Sequence, residues 1–320
     1  MSPDTGETSI ARLIIAGLAD EDKPLLNREL AELSDIKAED LNFFDLTWKQ
    51  LNPKRQLELI SRLIDMAENS TELNFDSIFK HRLHDPQEEI RSKAIEGLWE
   101  NEDSSLIEPL IKILQNDPSL KVRRDSAMAL GRFAMLAEHK KIHPDYMPLL
   151  CKALMETFDE TEDIEVKRRA LEAVSPLSLP RVEQAIIQAY ESSDVKLKAS
   201  AVYAMGRNCS PGWVNYLIKE LSSPTAELRY EAAGACGELG EEAAVPFLIQ
   251  LVDDSDTDVR IAAIQALGKI GGDEARERLE ECLEDRSEAI QEAAQQALEE
   301  IKIMTDPGSI PWFDLGSPEQ

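Results

Sequence analysis

The chain has 320 residues, 62 acidic and 35 basic, for a net charge of −27. That field repels nucleic acid, whose affinity rests largely on phosphate neutralisation, and it repels anionic membranes, so neither partner is expected. Apolar residues make up 42% and aromatics only 5%, which leaves alanine and leucine to build the core and suits closely packed helices. The four cysteines, Cys151, Cys209, Cys236 and Cys282, contain no Cys-x-x-Cys pair. With no basic n-region before residue 8, they are expected in a reduced, cytoplasmic protein without zinc, disulfides or other cofactors. The apolar stretch 13–18 is too short to span a bilayer.

Residues 1–75 share no repeat with the rest and are expected to form a helical N-terminal cap region. Thr8–Ala19 carries helical spacing in Ile10, Leu13, Ile14 and Leu18. Leu41, Phe43, Phe44, Leu46, Trp48 and Leu51 mark a second helix. Asn52-Pro53 reads as an N-cap followed by proline at the first helical position. The helix it opens is expected to reach about Glu68, with Leu57, Ile60, Leu63, Ile64 and Ala67 on one face. A stack of repeats needs its first apolar face covered, which makes this region a cap; a docking module of its own is the alternative.

From residue 85 to 301 one pattern returns seven times. An apolar residue followed by a basic one stands at Ile90, Val122, Val166, Leu197, Leu228 and Val259, and the series ends at Ile290-Gln291, with steps of 32, 44, 31, 31, 31 and 31. A near-constant period of this size marks a solenoid of two-helix units. One unit reads as helix A (Ala244–Val252), a turn (Asp253–Thr257) and helix B (Asp258–Ile270), stopped by Gly271-Gly272. The other B helices are expected to start near Glu88, Leu120, Ile164, Val195, Ala226 and Glu288. Four and seven residues past each marker stand small side chains, such as Ala232, Ala263, Ala235 and Ala266; eight past stand fillers such as Leu130, Met205 and Leu267. The 44-residue step holds an insertion around 137–148. The last repeat is acidic, as a C-terminal cap requires. The fold expected is all-α, a right-handed α-α superhelix: a cap over 1–75, about seven repeats over 76–304 and an unpacked tail over 305–320. In the tail, Ile310-Pro-Trp-Phe-Asp-Leu315 is expected to fold back onto the last helices, to bind a partner as a linear motif, or to stay loose.

The repeats resemble HEAT repeats, specifically the short bacterial, phycobilisome-lyase-like kind. The pattern is Asp-Pro-x-x-x-Val-Arg-x-x-Ala-x-x-Ala-Leu-Gly, seen over Asp117–Gly131 and again, with Ser255 for proline, over Asp254–Gly268. The resemblance implies a ladder between turn aspartates and helix B arginines, with Asp85/Arg91, Asp117/Arg123 and Asp254/Arg260 as pairs. Thr161, Ser192 and Ser223 occupy the aspartate column elsewhere, so the ladder is expected to break there. Members of this family include interaction scaffolds, bilin lyases, a di-iron deoxyhypusine hydroxylase and DNA glycosylases. The hydroxylase type needs His-Glu dipeptides as iron ligands, and this chain has none. The glycosylase type needs a basic groove, which sits poorly with the charge.

Constellations for chemistry are weak. His139 and His143 stand four apart in the insertion, and His81 and His84 three apart at a helix end; a solvated loop pair and C-terminal helix charge complementation account for them. There is no nucleophile elbow, phosphate loop or dinucleotide fingerprint. The strongest signal is a charge exception on the solvent-facing positions of the middle B helices. There Arg124, Met128, Arg132, Arg168, Arg169, Tyr203, Arg207 and Tyr230 form a candidate partner-binding face, concave in solenoids of this type. The expected function is a non-enzymatic interaction scaffold holding a protein or peptide there, an acidic segment being favoured by the arginines. The alternative is a lyase-like or chaperone-like protein acting on a tetrapyrrole or a modified protein.

Overall fold

The computed structural model describes residues 9–20 and 22–305. Every regular element among them is helical. The chain divides into two compact units, 1–133 and 134–320.

The first unit contains α1 (Ile10–Gly17), α2 (Asn27–Leu30), α3 (Ala38–Trp48), α4 (Pro53–Glu68), α5 (Asp76–Arg82), α6 (Glu88–Gly97), α7 (Ile107–Asn116) and the start of α8 (Leu120–Glu138). α4 begins where Asn52 Oδ1 accepts the amide of Arg55 at 2.8 Å, with Pro53 fixing the first helical φ. Leu59, Ile60, Leu63 and Ile64 form its buried face, and α4 packs against α6. The apolar stripe read from the sequence is shifted at one end. Leu57 is exposed, and Gln56 is buried, with its Nε2 donating to the Trp48 carbonyl at 2.7 Å. A buried amide with a partner is tolerated where an orphaned one is not.

The second unit takes the end of α8 and continues with α9 (Tyr146–Glu160), α10 (Ile164–Val174), α11 (Pro180–Tyr190), α12 (Val195–Asn208), α13 (Val214–Glu220), α14 (Ala226–Leu239), α15 (Val245–Leu251), α16 (Thr257–Ile270), α17 (Asp273–Cys282) and α18 (Glu288–Thr305). The B helices α10, α12, α14, α16 and α18 pack each on the next, while α11, α13, α15 and α17 each pack on the B helix that follows. The B helices start at the expected residues, except that α16 begins one earlier, at Thr257. The expected insertion is used to lengthen α8 to 19 residues and α9 to 15, leaving a short loop over 139–145.

The column four past each marker, Ala94, Ser126, Ala170, Ala201, Ala232, Ala263 and Ala294, has no exposed surface at all. In the last four repeats the helices come closer still. A Cβ built on Gly206 would stand 2.7 Å from the Cα of Ala235, one on Gly237 2.9 Å from the Cα of Ala266, and one on Gly268 2.7 Å from the Cβ of Ala297. The glycine nine past one marker and the alanine seven past the next are therefore one contact, where backbone meets backbone.

The ladder runs one repeat further than expected. Arg91 binds both carboxylate oxygens of Asp117, not Asp85, at 2.7 Å. Arg229 does the same to Asp254 at 2.7 and 2.8 Å, and Arg260 reaches Asp285 at 2.6 Å. The reason is local. Each turn aspartate is committed to its own turn, accepting the amide two residues on (Gln87, Ser119, Asp256 and Ser287, at 2.8–3.0 Å). The arginine of the same repeat leans over that turn to its carbonyls, as Arg91 does to Asp85 and Arg229 to Ser223, both at 2.9 Å, and its free edge faces the next repeat. Asp85 instead accepts Trp48 Nε1 at 2.8 Å.

The break at Ser223 is present and is filled. Lys198 turns to Glu220 at 2.9 Å, and the Tyr190 hydroxyl donates to the same carboxylate at 2.5 Å. Burial alone would raise the pKa of Glu220, but these two donors hold it below the usual carboxylate range.

Candidate functional site

The eight candidate partner-binding residues fall in two groups, and each belongs to one unit. In the first, Met128 and Arg132 lie on α8 and line a groove of about 410 Å³ with Ile95, Leu98, Leu106 and Phe133. Arg124 sits one turn before Met128, half-buried, outside the lining and without an ion pair among the described residues. Met128 is 52% exposed, and across the groove Trp99 is 65% exposed. Arg132 donates to the Glu100 carbonyl and, at 3.2 Å, to the Glu102 carboxylate.

This groove exists because α6 is short. α12, α14 and α16 each continue eleven residues past their marker; α6 stops at Gly97, seven past Ile90. A Cβ on Gly97 would meet the Phe79 ring at 2.7 Å, so the α5 aromatic occupies the space beside the helix end. One turn is missing, and the groove lies past the end of α6, between Glu68 at the close of α4 and Met128 on α8. α10 is also short, ending at Val174, but its end is sealed from inside. The buried Asn208 amide donates to the carbonyls of Ser175 and Leu177 at 3.0 and 3.2 Å, and Trp213 Nε1 holds the Asn208 oxygen at 2.9 Å. At α6 the equivalent space stays open. Trp99 was missed by the repeat columns because it stands where six other repeats offer no tryptophan; a lone large aromatic outside the apolar columns was the available signal.

In the second unit Arg168, Arg169, Tyr203, Arg207 and Tyr230 are brought to the B-helix face, but the arginines are not free. Arg168 gives its Nε to Ser200 Oγ at 2.8 Å and a second nitrogen to Glu165 at 3.1 Å. The Ser200 hydroxyl donates to Glu172 at 2.5 Å, and Arg169 pairs with the same Glu172. Arg207 lies 3.9 Å from Glu238, which Lys269 also holds. Glu231 stands among these groups; burial first, then Glu172 and Glu227, push its carboxyl up to about 7 against the pull of Arg168 and Arg169. The face is thus an interleaved charge network rather than a run of bare cations. Tyr203 and Tyr230 are its exposed apolar surface, at 40% and 46%. Tyr230 also borders a groove of about 440 Å³ with Glu227, Asp256, Asp258 and Ile261.

The histidines gather no metal-ligand cluster among the described residues. His81 Nδ1 lies 2.8 Å from Asp45, and His143 Nδ1 3.4 Å from Asp145. Cys236 packs in its column, where burial pushes its thiol up to about 12. The segment Ile310–Leu315 lies outside the described residues. No described helix is long and apolar enough to cross a membrane.

Among solved structures, YibA of Escherichia coli is similar at 15% identity over 88% of this chain and 98% of its own, with a TM-score of 0.46. Human deoxyhypusine hydroxylase is similar at 18% identity over 91% and 96%, with a TM-score of 0.35. A designed armadillo repeat protein in complex with the peptide (KR)4 is similar at 20% identity over 60% and 99%, with a TM-score of 0.40. No curated protein sequence matches the chain. The model for HEAT repeats matches residues 77–161 and 214–299, more than half of the chain. Those stretches hold five of the seven zero-exposure column residues and the arginine–aspartate ladder, and by that match the chain belongs to the HEAT-repeat family.

Proposed function

We propose that this protein is a non-enzymatic scaffold that binds a protein or peptide partner on the exposed face of its B helices. The observation that carries the reading is the open groove beside Trp99 and Met128. Large apolar side chains seldom stand bare at the rim of an apolar hollow unless something covers them, and Trp, Met and Arg are the side chains that dominate interface energetics. Tyr203 and Tyr230 offer a second contact surface of the same kind. The arginines of that surface are held by glutamates, so they serve to orient a partner's polar groups more than to attract an acidic segment by bulk charge.

Catalysis is not part of this reading: the face offers tyrosines and paired charges, and the Ser200 hydroxyl, which donates to Glu172, is buried and also accepts from Arg168. The function is placed in the cytoplasm, on the cysteine usage and charge. The phycobilisome-lyase-like or chaperone-like alternative makes a separate demand, a bound tetrapyrrole, which visible absorption of protein purified from its native cell detects. The test of the scaffold reading is partner recovery from that cell. Trp99→Ala with Met128→Ser should leave helical content and melting temperature unchanged and remove most of the recovered partner. Tyr203→Ser with Tyr230→Ser tests the second surface in the same way. Full recovery with both double variants would reject the reading.

A further inference from the structure

The first unit's groove runs along the last turns of α6 and past its early end, and its unpaired charges are one-sided. Its floor is apolar, from Leu98, Leu106 and Phe133, and a second hollow of about 250 Å³ lies on the other side of Trp99, with Ile64, Phe75 and Phe79 in its wall. Trp99 therefore borders both an apolar hollow and a mixed one, whose wall also carries Glu68, Asp76, Glu96 and Glu100. The basic side chains nearby are already engaged: Lys121 with Asp125, Arg132 with Glu102, Lys80 with Asp103 and Lys93 with Glu96. Glu68, which lines both hollows, and Glu100 beside Trp99 make no ion pair among the described residues. α6 ends beside the groove, and the negative end of its dipole adds to the potential there. Arg124, without an ion pair among the described residues, stands one turn before Met128 and lies outside the lining.

Resting on the scaffold reading, we infer that the occupant of this groove is a cationic amphipathic helix of a partner protein. Its apolar stripe would lie against Trp99 and fill the hollow lined by Leu98, Leu106 and Phe133, as helices fill grooves elsewhere. Lysines or arginines flanking that stripe would meet Glu68, Glu100 and the end of α6, and a cation passing over the Trp99 face gains further attraction. An anionic helix would bring its carboxylates against unpaired carboxylates, and the engaged arginine and lysines offer it little.

The test uses two synthetic helical peptides of about 14 residues, roughly four turns. Both carry leucine on one face; the polar positions are all lysine in one and all glutamate in the other. Binding to the full chain is measured by fluorescence anisotropy at physiological salt. The lysine peptide is expected to bind, and the glutamate peptide is not. Trp99→Ala, and separately Glu68→Lys with Glu100→Lys, should each weaken the lysine peptide about tenfold or more, while Phe247→Ser, at an exposed position of α15, changes nothing. Lysine-peptide binding indifferent to all these changes would mean bulk attraction to an acidic protein, and would overturn the inference. Tighter, Trp99-dependent binding of the glutamate peptide would overturn the charge assignment and leave the scaffold reading standing. The scaffold reading itself falls only if recovery of the native partner survives the Trp99, Met128, Tyr203 and Tyr230 substitutions.

Discussion

Arg229 and Asp254 belong to different repeats, and two hydrogen bonds of 2.7 and 2.8 Å join them. The pairing is bidentate and partly shielded, and Asp254 also receives the amide of Asp256 at 2.8 Å. One carboxylate thus ties an arginine of one repeat to the turn of the next. Asp254→Ala should destabilise the chain by about 2 kcal/mol, since it strands a half-buried guanidinium. The hydrogen bonds from Arg229 hold the Asp254 carboxyl below its ordinary value. The folded pKa is depressed, so this stabilisation is complete above the ordinary carboxylate pKa of about 4 and is lost as pH falls through the folded value. Denaturant melts of wild type and variant should converge at strongly acidic pH and separate above it.

Gly268 and Gly234 make a matched pair. A methyl group on Gly268 would stand 2.7 Å from the Cβ of Ala297, whereas Gly234 has nothing within 4 Å. Gly268→Ala should therefore destabilise by about 1–3 kcal/mol through overpacking. Gly234→Ala, inside α14, should stabilise by about 0.5–1 kcal/mol through helix propensity. Thermal melts that move both variants in the same direction would contradict the packing described.

Glu231 titrates near neutrality because burial, then Glu172 and Glu227, disfavour its charge. A carboxyl raised above its unfolded value favours the folded state below the unfolded pKa, and that contribution is lost as pH rises through about 7. Glu231→Gln should then raise the melting temperature at pH 8, with little change at pH 5. Arg168 and Arg169 face the same carboxylate, so Arg169→Gln should push the titration of Glu231 further up, measurable by carboxyl NMR.

Ala263 is fully buried in the column that faces the neighbouring helices. Ala263→Asp places an unpaired carboxylate there, at a cost of about 3–5 kcal/mol. Because each repeat leans on the next, the loss should appear as an early transition in the circular dichroism melt rather than a uniform shift. Ala263→Ser should be tolerated far better, as Ser126 is in the same column, where its hydroxyl donates to the Leu110 carbonyl at 2.6 Å.

The helices, their starting residues and the buried columns follow from local spacing. Each repeat's apolar, small and turn residues recur at intervals that only stacked helix pairs bury together, so Val259, Ala263 and Leu267 announce their burial along one strand of text. What tertiary structure decided were relations between residues far apart in sequence. Arg229 reaches across to Asp254 because Ser223 stands in the aspartate place of its own turn and offers it only a carbonyl. Gln56 replaces Leu57 inside because the Trp48 carbonyl needs a donor. Arg168 and Arg169 lose their freedom to Glu165 and Glu172, acids that helical spacing alone does not distinguish from solvated ones. Trp99 becomes a rim only because Phe79 and Gly97 end α6 a turn early and nothing like Asn208 seals the gap. Spacing along the chain determines which side chains are buried; which charge meets which, and where a hollow stays open, depends on distances that exist only after the repeats have stacked.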